Sequence, residues 1–362
     1  MKCWITSVAS RLYSANLQRV CNCGRPATNL YKFASNNSIG IFLKRLAIIG
    51  MGSWGSRVSR EALLLLKERA VDSVALCDID KGKIEGFKRS NAELLDKLDG
   101  VDFYQNVDDV IKSNPTYAHI CTFNNTHFEV AKKMVLGKIP FILEKPVSDR
   151  MTEVEELEKL CRANKDVIAK NGLIFRFDNS MKEIKRLYES GALGRTYFMR
   201  FSWEFSRDYM EGVDIVWDLM PHLIDMFSYV TGERSHFVSG MKAQFRRING
   251  SELGMIVLET DSGVRGIFNI SWFASRKNRL IEIFGDKKVM NADVISQSIT
   301  LYDAIDMTKS ETVNVAKNNT IRDELTNLIA DSESKNNTVN NIELGFEIAR
   351  YLDQIDKRAT SI

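Results

Sequence analysis

A short, wholly apolar run, Leu46-Ala47-Ile48-Ile49, passes straight into Gly50-Met51-Gly52-Ser53-Trp54-Gly55, and then into a stretch carrying Val58, Leu63, Leu64 and Leu66. No other feature limits the fold as tightly. Four consecutive apolar residues suit a strand buried on both faces of a parallel sheet. Each glycine then has its own task. Gly50 makes a tight turn, Gly52 lets the backbone approach a pyrophosphate, and Gly55 lets helix and strand pack closely. The helix opening there offers free N–H groups and a partial positive charge to phosphates, with Ser53 and Trp54 in the same turn. A second buried strand, Val74-Ala75-Leu76-Cys77, ends at Asp78, 23 residues beyond Gly55. An acid there would bind the adenine-ribose hydroxyls of NAD and repel the extra phosphate of NADP. The plainer reading is a glycine turn and a capping aspartate that bind nothing. The order of strand, turn, helix, strand and acid favours the dinucleotide, with Lys81 close enough to reverse the preference for NAD over NADP.

The alternation continues. His119-Ile120-Cys121-Thr122 reads as a strand, a helix follows through Val130, Ala131 and Met134, and Phe141-Ile142-Leu143 is the next strand, ending at Glu144-Lys145-Pro146. Strands alternating with helices predict a doubly wound parallel sheet. Thr152-Glu153-Val154-Glu155 reads as a capping box opening another helix. A strand is expected near residues 167–175 and a helix from about Ser180. From Tyr197 the period changes to two, through Met199, Phe201, Trp203 and Phe205. Further strands are expected at 237–245, 255–260, 264–273 and 280–284, with turns at Asp261-Ser262-Gly263 and Gly285-Asp286-Lys287-Lys288. Short turns between strands mean an antiparallel sheet. Two polar-capped helices, near 320–330 and 339–355, close the chain. The predicted fold is therefore a Rossmann sheet over residues 45–170, then an open, mostly antiparallel sheet covered by helices over 171–362.

Residues 1–44 read as a separate basic tail. The first acid in the chain is Glu61, and seven basic residues precede Leu46. Without those seven the net charge of +3 becomes −4, so the body is mildly acidic and lacks the basic face of a nucleic-acid binder. A tail containing Ser, Asn and Arg but no acid has the composition of a transit peptide; a disordered extension or a start assigned too far upstream reads equally well. The expected location is cytoplasmic, or an organelle matrix if the tail is a targeting signal. No apolar run is long enough to span a bilayer, which argues against an integral membrane protein. Six cysteines in 362 residues are too few for a disulfide scaffold. Cys21-x-Cys23 has no second pair, and the four histidines (His119, His127, His222 and His236) form no HxxxH pair, so no metal site is expected.

Two clusters carry chemistry. Glu144-Lys145-Pro146 ends a predicted strand, where open α/β sheets bind ligands. A lysine fixed there can donate to a substrate hydroxyl and stabilise the alkoxide formed as hydride leaves; a surface lysine in a stiffened turn, with a cis Lys145–Pro146 bond conceivable, is the plainer reading. In Trp217-Asp218-Leu219-Met220-Pro221-His222, Asp218 and His222 are four apart and share a helix face. Pro221 is tolerated in a first turn, so the helix is expected to begin close to Asp218. A histidine titrates near neutrality and can take a hydroxyl proton while a nearby carboxylate supports its charge. A capping aspartate and a core-edge histidine would fit the spacing as well.

Taken in order, the Gly50–Gly55 turn, Asp78, Thr126-His127, Glu144-Lys145-Pro146, Gly172–Phe177 with Arg176, and Asp218-x-x-x-His222-x-x-Asp225 resemble the glucose–fructose oxidoreductase / inositol dehydrogenase (Gfo/Idh/MocA) family. The resemblance runs from about Arg45 to near the end. It implies that Lys145, Asp218 and His222 form the catalytic set, and that Thr122, Asn124, Glu144 and Arg176 lie along the cofactor with Gly50, Gly52, Ser53, Trp54, Gly55 and Asp78. It also implies a homo-oligomer, dimer or tetramer, built on the second sheet. His127 is expected to be structural. Met220 stands where the family commonly has glycine two residues before its histidine, and Ile215-Val216-Trp217 stands where a glycine pair is common. Trp-Asp-Leu-x-Pro-His is closer to the branch acting on nucleotide-linked sugars, which counts against free inositol. The expected activity is NAD(P)-dependent oxidation of a secondary alcohol of a sugar, nucleotide sugar or cyclitol, or its reverse. The alternative is a non-catalytic NAD(P)-sensing regulator on the same fold. Arg176, Trp203 and Trp217 are candidates for specificity.

Overall fold

The computed structural model describes residues 43–206, 214–246 and 250–362. The predicted tail lies outside these residues except for Leu43 and Lys44, and so do Cys21 and Cys23.

The first sheet is built from β1 (Arg45–Ile49), β2 (Ser73–Cys77), β3 (Val101–Tyr104), β4 (Tyr117–Ile120), β5 (Phe141–Leu143) and β6 (Ala169–Asn171). Its six strands lie in the order β3-β2-β1-β4-β5-β6, and every pairing is parallel. The apolar run in β1 has a direct cause. Leu46 and Ile48 face one apolar cluster with α1 (Ser53–Lys67) and α2 (Lys81–Ser90), while Ala47 and Ile49 face another with α5 (Asn124–Leu136) and α6 (Met151–Ala163). Two short helices, α3 (Ala92–Leu95) and α4 (Val107–Lys112), complete this half. The strand order reverses between β1 and β4, and their carboxyl ends carry Gly50 and Cys121. That is the crevice where doubly wound sheets take ligands.

The second sheet comprises β7 (Thr196–Glu204), β8 (Ser235–Ala243), β9 (Leu253–Thr260), β10 (Arg265–Ser271), β11 (Asn278–Gly285), β12 (Lys288–Asp293), β13 (Ser298–Asp303), β14 (Ser310–Val313) and β15 (Thr360–Ser361). Their order is β14-β13-β12-β11-β7-β10-β9-β8-β15; the sheet is mostly antiparallel, with parallel pairings at β7–β10 and β8–β15. Its inner face packs against α7 (Asn179–Glu189), α8 (Ile215–Thr231) and α10 (Ile342–Arg358). The aromatic alternation of β7 belongs mainly to this core, because Met199, Phe201 and Trp203 are buried and Tyr197 is exposed. The last two helices also serve the first sheet. Leu325, Leu328 and Ile329 of α9 (Thr320–Ser334) join the cluster around Leu46, and Ile342, Phe346 and Ala349 of α10 join that around Ala47.

Three local expectations are corrected. The strand near 167–175 stops at Asn171, whose side-chain amide bonds the Leu143 carbonyl, and a 3-10 turn follows at Ile174–Phe177. Gly172 allows this, since a Cβ there would lie 2.7 Å from Glu144 Oε2. The capping box at Thr152 does not form. Helix α6 starts at Met151 with Arg150 at its N-cap, so Thr152 is already helical, and Ser148 Oγ takes Glu153 instead at 2.6 Å. Helix α8 starts three residues ahead of Asp218, because Asp214 caps it by accepting from Val216 N. Pro221 therefore lies inside the helix. It leaves the Trp217 carbonyl without its i+4 donor, a cost that the burial of this helix outweighs.

Lys170 of β6 is fully buried, and its Nζ reaches Asp331 Oδ2 at 2.6 Å, Asn327 Oδ1, Asn337 Oδ1 and the Val339 carbonyl. It ties α9 and the segment after it to the first sheet. Lys170→Met should lower the unfolding free energy by about 3–5 kcal/mol, because it strands a buried Asp331 carboxylate. Urea denaturation measures this, and an unchanged midpoint would deny the role.

Candidate active site

The glycine turn is shaped by two constraints within the chain and one without. Gly50 has φ +96°, and a Cβ there would sit 2.6 Å from the Cys121 carbonyl. A Cβ on Gly55 would lie 1.9 Å from the Gly50 carbonyl oxygen. At Gly52 a Cβ would meet nothing within 4 Å. No protein atom therefore demands glycine at Gly52, whereas a pyrophosphate lying on the backbone would. Helix α1 begins at Ser53 with no side-chain cap and no acid in its first turn, so its N–H groups are free for phosphate oxygens. A groove of roughly 580 Å³ continues from Gly52 and Ser53 past Arg57 and Arg60 to Lys83. These features fit a dinucleotide.

Asp78 directly follows β2 and is buried. Its Oδ2 accepts from Met51 N at 2.7 Å and its Oδ1 from Asp80 N at 2.9 Å, which locks the carboxylate against the glycine turn. Each oxygen keeps a lone pair for a ribose hydroxyl. The basic neighbour is Lys83, 3.7 Å from Oδ2, in place of the expected Lys81.

At the ends of β4 and β5 the polar groups interlock. Glu144 Oε1 accepts from Trp54 Nε1 at 2.5 Å and pairs with His119 Nε2 at 2.9 Å. Trp54 thereby joins the glycine turn to the Glu144-Lys145-Pro146 segment. Burial pushes the Glu144 carboxyl up, but His119, the Trp54 N–H and the Lys145 charge together hold it below its ordinary range. His127 is buried, with Nδ1 at 2.7 Å from the Pro146 carbonyl and Nε2 at 3.0 Å from the Thr122 carbonyl. It clasps both loops. Thr122 Oγ1 is buried without a partner, and Asn124 Nδ2 bonds Asp149. The Lys145–Pro146 bond is cis.

Lys145 and Asp218, far apart in sequence, meet. Lys145 Nζ donates to Asp218 Oδ1 at 3.0 Å and to the Asp218 carbonyl at 2.6 Å. His222 lies one turn further along α8, packed edge-on by Phe175 at 5.1 Å and tilted against Trp203 at 5.6 Å between ring centroids. Burial, then the positive charges of Lys145 and Arg279, drive its pKa well below the ordinary 6.5, against the opposing field of Asp218. The imidazole is thus neutral and able to accept a proton. Arg176 bonds Asp225 Oδ1 at 2.7 Å and lies over Tyr229, tying the 3-10 turn to α8. Burial raises the Asp225 carboxyl to about 6 despite that partner.

The neutral His222 has a consequence for pH. Its basic form persists below pH 6.5, so kcat/KM for alcohol oxidation should show no His222-dependent inflection at or above 6.5. The acid limb should appear at lower pH and disappear in His222→Gln. An inflection near 7 that the variant abolishes would contradict this.

Reasoning from sequence did not identify His119 behind Glu144, nor Phe175 and Arg279 around His222. Arg279 carried a usable signal, as a charge two residues before Ile281 in an alternating strand. The sequence also gave no hint of His119, Cys121 and Glu144 as a group. Their ligand atoms lie within 4.8 Å of one another, the one such trio of possible metal ligands among the described residues. His119 and Glu144 already bond each other, and burial raises the Cys121 thiol well above its usual range, which opposes metal ligation.

A parallel six-stranded sheet with a phosphate turn, joined to a lysine–aspartate–histidine cluster under a second sheet, defines an NAD-binding oxidoreductase fold. The family comparisons agree. Residues 44–171 match the model of the oxidoreductase family with an NAD-binding Rossmann fold, and residues 181–291 match the GFO/IDH/MocA C-terminal domain. The chain belongs to the GFO/IDH/MocA family. A D-apiose dehydrogenase of Rhizobium rhizogenes is 23% identical over 164 residues, 43% of this chain and 47% of that protein. The match thus spans about half the length of that curated relative. Among solved structures, UDP-N-acetylglucosamine 3-dehydrogenase from Acidithiobacillus ferrooxidans superposes with a TM-score of 0.71 at 16% identity, over 87% of this chain and 97% of that one. The 3-ketoreductase KijD10 from Actinomadura kijaniata, crystallised with TDP-benzene and NADP, gives 0.75 at 13% identity, over 89% and 99%. At these identities the likeness is one of fold. Among the described residues, no helix is long and apolar enough to cross a membrane.

Proposed function

We propose that this protein transfers hydride between a nicotinamide cofactor and a secondary alcohol or ketone of a sugar, nucleotide sugar or cyclitol. The observation carrying the proposal is the Lys145–Asp218 pair, formed between the carboxyl end of β5 and helix α8, together with a neutral His222 one turn along that helix. The bound nicotinamide supplies the hydride acceptor or donor. His222 takes the hydroxyl proton as the carbonyl forms and returns it in the reverse direction. Lys145 donates to the same oxygen and stabilises its developing negative charge, while Asp218 holds the ammonium in place. Glu144 braces the glycine turn through Trp54, and Thr122 and Asn124 line the nicotinamide side. Arg176 supports the site by fixing α8. Asp78 favours NAD over NADP, with Lys83 as the nearest moderating charge.

We also assign the open face of the second sheet to a homo-oligomer, since Met255 is exposed on it. A light-scattering mass equal to one chain would refute that assignment. The reaction itself is tested with cofactor deuterated at C4 and the keto form of a sugar substrate. Deuterium should reach the carbinol carbon of the product, and hydrogen drawn from water at that carbon would contradict the mechanism.

A further inference from the structure

Strand β11 places Ile281 and Ile283 on its buried face, and two residues earlier the same face carries Arg279. A charge on the core side of a strand is unfavourable unless a partner compensates it. Arg279 makes no ion pair among the described residues, and its Nε is buried with no hydrogen-bond partner. Its guanidinium lies over the Trp203 ring, 4.5 Å from the centroid, and the two residues face each other across the β7–β11 pairing. Trp203 in turn packs on His222. A single indole therefore separates the guanidinium from the imidazole.

Two neighbouring atoms are also orphaned. Trp203 Nε1 and His222 Nδ1 are buried without partners. Buried polar atoms are nearly always satisfied, so three orphans on three touching side chains point to a polar ligand. The local charge gives its sign. Asp218 is held by a direct ion pair to Lys145, so its carboxylate reaches Arg279 only as a field at a distance, and Arg57 of α1 opposes that field with further positive charge.

We propose that Arg279, stacked on Trp203, binds an anionic group of the substrate, a carboxylate or a phosphate, attached a few bonds from the reacting carbon. The proposal rests on the oxidoreductase reading above and narrows its substrate to charged sugar derivatives. The planar guanidinium can take two oxygens at once, and the indole fixes its plane. An uncharged polyol leaves the guanidinium unpaired, and that penalty is the basis of selection.

The full chain, saturated with NADH, is titrated calorimetrically with inorganic phosphate and separately with malonate. At least one of the two anions should bind, and binding should be about 10-fold weaker or more in Arg279→Gln. It should be unchanged in Arg265→Gln, a control on the exposed outer face. Tighter phosphate binding assigns the subsite to phosphate esters, and tighter malonate binding assigns it to sugar acids. No binding, or equal binding by wild type and Arg279→Gln, overturns the proposal. NADH fluorescence recorded on the same samples reports cofactor binding separately, and its failure counts against the oxidoreductase reading alone. The comparison of variants reads Arg279 in either case. In turnover the variant should raise KM for charged substrates only; an equal rise for uncharged ones overturns the assignment.

Discussion

Replacing Lys145 by methionine should lower kcat by about 10³-fold and leave cofactor affinity unchanged. Methionine keeps the length and much of the volume of the side chain but removes the ammonium that donates to Asp218 Oδ1 and to the substrate oxygen. The fold should survive, because the Asp218 side chain is 21% exposed and remains solvated without its partner. Cofactor binding should survive as well, since the glycine turn and Asp78 make no use of Lys145. Single-turnover nicotinamide absorbance separates the hydride step from product release. A variant that keeps wild-type turnover would place Lys145 outside the chemistry.

The second large effect comes from paired alanine substitutions in the glycine turn. Gly55→Ala puts a Cβ 1.9 Å from the Gly50 carbonyl oxygen, and Gly50 is itself held by its N–H bond to the Cys77 carbonyl at 2.8 Å. Neither backbone can yield, so a loss of about 3 kcal/mol or more of stability is expected, with cofactor binding lost too. Gly52→Ala meets open space at φ −65° and should cost only about 1 kcal/mol of stability, the price of alanine at an N-cap. Its main effect should appear in cofactor affinity, lowered by about 10-fold or more where the methyl group meets the pyrophosphate. Thermal unfolding with and without NADH measures both variants. Unchanged NADH affinity in Gly52→Ala would mean that the cofactor does not cross this turn.

Much of the architecture is local in origin and therefore legible. The β1 run faces apolar clusters on both sides, and no other environment calls for four consecutive apolar residues. The change to period two at Tyr197 follows a strand with one face on the core. Other features depend on pairings between distant segments. Arg279 meets Trp203 only through the β7–β11 register, and β7 runs parallel to β10 across an intervening helix and two strands. Period alone cannot specify such a neighbour. Pro221 suits a first turn and so points to a start close to Asp218, whereas the Asp214 cap and the packing of the helix set the start at Ile215. At Thr152 a matching motif does not cap the helix, which starts at Met151 with Arg150 as its N-cap, two residues earlier, while Ser148 takes Glu153. For the candidate site, Asp218 and His222 were legible as neighbours on one helix. Their grouping with Lys145 comes only through the family resemblance, since local pattern cannot show a contact that requires both sheets to be in place.

The central claim is that the Lys145, Asp218 and His222 cluster carries hydride chemistry on a sugar-like alcohol. It is tested most directly by nicotinamide absorbance across a panel of cyclitols, aldoses, sugar acids and UDP-sugars, with NAD and NADP separately, for wild type beside Lys145→Met. The account predicts reduction of the cofactor by at least one member, faster with NAD, and abolished in the variant. No turnover by a chain that binds NADH tightly, or turnover that Lys145→Met retains, would contradict it.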